Sequence, residues 1–295
     1  MLVSRLLKGT AQHYRRARLA MLGQSVAWRR VGGGFEMLID PTESHDQSFY
    51  LNTFEPALVH LLTRCISSGD TCVDIGSQKG YVTLRMAQLV GASGGVYSFE
   101  PDPRARSILQ SNIDHNGYAH VKVFSYAIAD TAGECTFTLS SVLGWSSRFP
   151  NEGARARALE SITANTRSLD DLVRTGEIRV DRLTFIKMDA EGSEPLILRG
   201  MRHLLSKTTA VLWIEVNRGS LTAAGSSPDD IEEVLRESGL SLYWPVYYRE
   251  GYLVPTLRLR PIRNLRTELA TVVDDYSNIA AFRLGAVDRL AGILT

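Results

Sequence analysis

Thr71-Cys72-Val73-Asp74-Ile75-Gly76-Ser77-Gln78-Lys79-Gly80-Tyr81-Val82-Thr83-Leu84 reads as strand, loop and helix. A short apolar run ends in Asp74 and passes through two glycines. Helical period then resumes at Tyr81, Leu84 and Leu89. A second apolar run, Gly95 to Phe99, ends in Glu100. That acid follows Gly80 by about 20 residues, the spacing at which a strand-end carboxylate meets a ribose. The two strand ends would face one nucleoside.

The dinucleotide fingerprint G-x-G-x-x-G supplies backbone N–H groups to a pyrophosphate. The loop here, D-x-G-x-x-x-G, lacks the middle glycine, so a nucleoside without phosphates fits it better. S-adenosylmethionine is such a ligand, and its positively charged sulfonium and amino acid tail would be attracted by Asp74. Ionised Glu100 can accept from both ribose hydroxyls. The missing glycine also disfavours the main competing reading, a nicotinamide-dependent oxidoreductase.

Around this unit, 295 residues with 44% hydrophobic content can bury a large core, which points to one α/β domain with additions. We expect an N-terminal extension over residues 1–48 and a catalytic domain over 49–295. Leu2 to Gln24 reads as helix and Val26 to Ile39 as a hairpin turning at Gly32-Gly33-Gly34. The net charge of +1 gives no strong nucleic-acid signal. Arg5, Lys8, Arg15, Arg16, Arg18, Arg29 and Arg30 nevertheless precede the first acid, Glu36, as a basic arm. A solvated helix face is its plainest reading; a surface for an anionic membrane, a nucleic acid or another subunit is the sharper one. No secretory signal or membrane span is evident, and the three cysteines, Cys65, Cys72 and Cys135, lack C-x-x-C spacing. We therefore expect a reduced, cytoplasmic setting.

His45 and Glu55, just before the first core strand, are candidate pocket residues, with Pro56 suited to open a helix through Cys65. Arg104 to Asn116 has helical period, and Asn116-Gly117 ends it. Val121 to Tyr126 alternates as a third strand. The loop after it, Ala127-Ile128-Ala129-Asp130, is where an adenine would lie, with Asp130 able to accept from its amino group. Glu134 to Leu139 and Ser161 to Thr166 read as extended pieces around a polar loop containing Trp145, long enough to be functional.

A buried strand ends again in acid at Leu183-Thr184-Phe185-Ile186-Lys187-Met188-Asp189-Ala190-Glu191-Gly192-Ser193-Glu194. A single helix, Pro195 to Leu205, is predicted after it. The crowded carboxylates need compensation from a helix N-terminus, Lys187, a cationic ligand or a divalent metal. Ala210 to Val216 is the next strand, with Glu215 near its end. Asp74, Glu100, Asp189 and Glu215 thus mark the C-terminal ends of four predicted strands, the edge where open α/β sheets bind ligands. Catalysis falls to Asp189 first, as base or orienting acceptor, and to His45 second, with Glu191 and Glu215 tuning it or completing a metal site.

These residues resemble the FkbM-type S-adenosylmethionine-dependent methyltransferases. The resemblance rests on Val73 to Gly76 with Gly80-Tyr81 and Thr83, Tyr97 to Pro103, Asn112 with Asn116-Gly117, and Ala127 to Gly133. It continues through Ser168 to Leu172 and, most specifically, Ile186 to Glu194 with Arg199-Gly200. It implies a class I methyltransferase Rossmann-like sheet of seven strands in the order 3-2-1-4-5-7-6, the last antiparallel. It implies cofactor contacts at Asp74, Gly76, Gly80 and Glu100, with Ser77, Gln78, Pro101, Ala127 and Asp130 beside them, and an active-site acid at Asp189. Members methylate a hydroxyl oxygen of a sugar, polyketide or related metabolite, so the expected partner is a small-molecule or glycan acceptor. Ser77-Gln78 and Lys79 depart from the family's common Ala-Asn pair and the apolar residue after it, which is the one hint of a non-catalytic nucleoside-binding or scaffold protein. Leu242 to Arg266, rich in aromatic residues and arginine, lies outside the resemblance and reads as a sheet-edge hairpin or a sugar-stacking surface.

Overall fold

The computed structural model describes residues 17–250, 254–272, 276–283 and 288–294. Residues 1–16, which hold most of the expected N-terminal helix with Arg5, Lys8, Arg15 and Arg16, lie outside that range, as does Tyr252. Residues 17–22 are helical. A hairpin follows, β1 (Ala27–Arg30) against β2 (Glu36–Ile39), with the glycines at its turn as the sequence predicts.

The central sheet takes strands β3 (Thr71–Ile75), β4 (Gly95–Phe99), β5 (Val121–Phe124), β9 (Leu183–Met188), β10 (Val211–Asn217), β11 (Ser241–Glu250), β12 (Val254–Pro261) and β13 (Tyr276–Phe282). Their spatial order is β12-β11-β13-β10-β9-β3-β4-β5. Strands β5, β4, β3, β9 and β10 run parallel, and β13 is antiparallel to β10. Seven of the strands reproduce the expected order, and the sheet has an eighth, β12, paired antiparallel to β11. The aromatic–arginine segment is thus a sheet-edge hairpin. Beyond β12, the 3₁₀ segment Asp288–Ile293 packs along that edge: Leu259 bridges Leu294, Arg258 donates to Gly292 O, and Leu290 and Ile293 are buried.

Side chains alternate across the pleat, so both faces of the sheet are apolar, as helices covering both sides require. Val73, Ile186, Leu212 and Ile214 fill one core; Cys72, Phe185, Val211 and Trp213 fill the other. The hairpin's Val31, Phe35, Met37 and Ile39 belong to the second core. The helix Ser44–Leu51 runs across the boundary expected at residue 48.

A smaller sheet, β6 (Ala127–Ile128), β8 (Ala158–Arg167) and β7 (Gly133–Ser140), stands after β5. The helix expected over Pro195 to Leu205 is two, Glu194–Arg199 and Arg202–Lys207. At Gly200, between the two helices, the backbone of Ala129 passes so close that an added Cβ would lie 2.1 Å from Ala129 O, which leaves room for glycine alone. Asp170 caps the second helix, accepting from His203 N and Leu204 N at 2.8 Å. The three cysteines are buried thiols. Among the described residues, no helix is long and apolar enough to cross a membrane.

Candidate active site

The C-terminal ends of β3, β4, β9 and β10 open into a cavity of about 1010 Å³. Gly76, Ser77, Gln78, Glu100, Pro101 and Ala127 line it, and so do Asp189, Glu191, Glu215 and, at an exposed position, His45. Of these ten residues, strand-end counting singled out Glu100, Asp189 and Glu215, and the cavity brings all three together.

One half of the cavity is built by the β3–helix turn. Gly76 has φ +75°, and a Cβ there would lie 1.7 Å from Asp189 O, so only glycine lets the β3 and β9 ends approach this closely. Gln78, at φ +50°, donates its backbone N–H to Glu100 Oε2 at 2.8 Å, and its side chain donates to Leu143 O. Asp102 N donates to the other oxygen, Oε1, at 2.9 Å. Burial nevertheless lifts the Glu100 pKa to about 7, against those two bonds. Beside this turn, Ser77, Ser98 and Thr83 form a buried hydroxyl chain that ends on Asp74 Oδ2.

The other half is acidic and centres on Lys187. Its ammonium donates to Gly76 O at 2.9 Å, lies 3.2 Å from Asp189 Oδ2 and 3.8 Å from Asp74 Oδ1. Burial works against the lysine's charge, yet Asp189, Asp74 and Glu55 outweigh it and raise its pKa. Glu191 sits at φ +49°, and Ser220 Oγ donates to its Oε2 at 2.8 Å while Ser147 Oγ donates to its backbone oxygen. Burial, then repulsion from Asp189, lifts Glu191 to about 8. Glu215 is raised well above the carboxylate range by burial and by Asp189, Glu191 and Glu55. Glu55, also on the cavity wall and in the left-handed region at φ 33°, is lifted to about 7 by burial despite attraction to Lys187. Among the described residues, three of the four non-glycine residues at positive φ therefore line the cavity, a concentration of backbone strain found at functional sites.

Three expected contacts need correction. Asp74 is fully buried and lies behind the lining, reached through Lys187, because its carboxylate is engaged by Thr83 at 2.5 Å. Gly80 does not reach the cavity; it lets the helix Tyr81–Val90 approach Leu109, whose Cδ1 would stand 2.3 Å from an added Cβ. Asp130 is exposed in its turn and absent from the lining. Glu194 is a structural acid: Oε1 and Oε2 accept from Ala190 N and Gly192 N, closing the loop after β9.

Sequence reasoning missed Ser220 and Asn151, whose Nδ2 donates to Ser220 Oγ at 3.0 Å and so supports Glu191. It also missed Asp46, the buried partner of Lys79. The polar loop holding Trp145 does wall the cavity, through Gly144, Trp145, Ser146 and Arg148. Asn112 and Asn116 hold the β2 edge: Asn112 Oδ1 accepts from Leu38 N, and Asn116 exchanges two bonds with Glu36.

Comparison with known proteins gives this geometry a family. The chain is 28% identical over 187 residues to the hexuronic acid methyltransferase AglP of Haloferax volcanii, covering 63% of this chain and 70% of that protein. It is 30% identical over 148 residues to the 2-O-methyltransferase NoeI of Sinorhizobium fredii, covering 46% of this chain and 59% of NoeI. Among solved structures, the methyltransferase FkbM of Methylobacillus flagellatus aligns with a TM-score of 0.43 at 18% identity, over 82% of this chain and 55% of that one. A family profile, the methyltransferase FkbM domain, matches residues 74–242, more than half of the chain. With the strand-end cavity lying largely inside that match, the protein belongs to the FkbM methyltransferase-domain family.

Proposed function

We propose that this protein transfers a methyl group from S-adenosylmethionine to a hydroxyl oxygen of a sugar or related metabolite. The carrying observation is that Glu100 and Asp189, from adjacent sides of β3, line one cavity of about 1010 Å³, large enough for a nucleoside beside an acceptor. AglP and NoeI, by their names a hexuronic acid methyltransferase and a 2-O-methyltransferase, support an acceptor of this class.

The residues present fit the cofactor. Each Glu100 oxygen takes one backbone N–H and keeps a lone pair for a ribose hydroxyl. Tyr126, Ala127, Ile128 and Phe137 offer an apolar wall for a base. Bound there, S-adenosylmethionine supplies an electrophilic methyl. The chain's own work is then to hold an acceptor oxygen in line and to remove its proton. Lys187 fixes Asp189 through Oδ2, and Asp189 accepts the hydroxyl proton. His45, exposed on the cavity lining, is the second candidate, and Glu191 and Glu215 shape the field around both. Residues 49–295 form the catalytic domain in this reading, with 1–48 as an extension whose hairpin shares its core.

Calorimetric titration of S-adenosylmethionine and of NAD, followed by a methyl-transfer assay over sugar and uronic acid acceptors, tests the proposal. Saturable binding of the first ligand only, with methylation of at least one hydroxylated acceptor, is expected. Tight NAD binding, or a Glu100→Ala protein that binds S-adenosylmethionine as well as wild type, would refute it.

A further inference from the structure

We propose that Asp189, Glu191 and Glu215 form a binding site for one hard divalent cation, magnesium or manganese in chemistry. Each of the three offers an oxygen, and these oxygens lie within 4.8 Å of one another. That separation suits an ion with metal–oxygen distances of about 2.0–2.5 Å. The three acids come from two different strand ends and are half-buried, so they cannot swing apart into solvent as surface carboxylates do.

A second observation points the same way. Glu55, from the segment leading into the helix Pro56–Cys65, lines the same cavity, and its Oε2 is wholly removed from solvent with no hydrogen-bond partner. The neutral Trp213 indole beside this carboxylate supplies a dipole and no charge, and the carboxylate's field reaches both Asp189 and Glu215. Among the described residues, Lys187 and Arg148 are the only lysine and arginine on the cavity lining. Lys187 is already engaged by Gly76 O and Asp189. One ammonium faces Asp74 and Glu55 as well as Asp189, Glu191 and Glu215, and a divalent ion would redress that imbalance.

The donor set decides the class of ion. All ligands are carboxylates and the cluster contains no histidine or cysteine, which favours magnesium, manganese or calcium over zinc or copper. Glu191 is held for this task by Ser220, which Asn151 orients in turn, the arrangement by which outer hydrogen bonds fix a ligand. The consequence for catalysis rests on the methyl-transfer reading: an ion here would stand beside Asp189 and lower the pKa of a coordinated acceptor hydroxyl. The site itself does not depend on that reading.

The test is manganese(II) alone, titrated into the cofactor-free protein and followed by electron paramagnetic resonance and calorimetry. One ion per chain is expected, weakened at least about tenfold in Glu215→Gln and by a comparable factor in Ser220→Ala, which frees Glu191 without touching a ligand. Circular dichroism melting checks that each variant folds; if Glu215→Gln does not, Ser220→Ala carries the test. No uptake at millimolar manganese, or uptake indifferent to the variant that folds, would overturn the site. Because the readout is ion binding without cofactor, its failure and a failure of the cofactor titration are separate results.

Discussion

Lys79 Nζ lies 2.9 Å from Asp46 Oδ1, and both side chains are buried. The pair ties the β3–helix turn to the helix Ser44–Leu51 that walls the cavity. Removing one partner strands the other charge, so Lys79→Ala should destabilise the protein by about 3–5 kcal/mol. The double variant Lys79→Met/Asp46→Leu, which leaves no buried charge, should recover most of that loss. Urea unfolding of the three proteins decides it; a fully stable single variant would contradict the pair's burial.

Asp189→Asn should keep cofactor binding measurable and slow turnover by roughly 10²–10⁴-fold, the range for a lost general base. Single-turnover kinetics with saturating cofactor read this directly. An unimpaired rate would remove Asp189 from the mechanism.

Gly76→Ala should lose cofactor binding and stability together. Its Cβ would strike Asp189 O, and alanine resists the φ of +75°. A penalty above about 1 kcal/mol is expected by chemical denaturation, since incompatible backbone substitutions exceed the ordinary glycine-to-alanine effect.

Asn112→Leu should cost about 1–3 kcal/mol by leaving Leu38 N and Lys79 O without their side-chain partner. Hydrogen exchange at the Leu38 amide should quicken, while the turnover number stays within about twofold because Asn112 is absent from the cavity lining.

The stability of the cofactor-free protein should fall as pH rises from about 4.5 to about 8. Glu100, Glu55 and Glu194 are lifted to about 7 and Glu191 to about 8 by burial, so the folded chain holds protons there that the unfolded chain has released. Their contribution is complete below the unfolded carboxylate pKa and is lost as pH passes through the folded values. His60, lowered by burial, works in the opposite direction as a single group. Melting temperatures across this window should decline, and Glu191→Gln should flatten the upper part of the decline; a rising profile would refute the assignment.

Much of this architecture was legible because parallel strands advertise themselves: the short runs Thr71 to Val73, Val96 to Phe99 and Leu183 to Met188 lead into the acids Asp74, Glu100 and Asp189. What stayed hidden depends on partners distant in sequence. Lys79 looked like a lapse from the family's apolar residue, and nothing local announces Asp46, 33 positions earlier, as its counter-ion. Asp74 was read as facing the ligand because it ends an apolar run, but pleat direction turned it toward Thr83. The close approach of Ala129 to Gly200 is likewise invisible locally, 71 positions apart in sequence. Ser220 and Asn151 are ordinary helix-capping types in sequence, and only their meeting at Glu191 gives them a role.

The 3₁₀ segment along β12 bears on how the protein behaves in company. An open outer strand presents unpaired amides that invite a neighbour's strand, and here Leu294, Arg258 and the apolar Leu290 and Ile293 occupy that margin instead. The 3₁₀ turn thus acts as a selvedge along the Arg258–Leu259 stretch of β12.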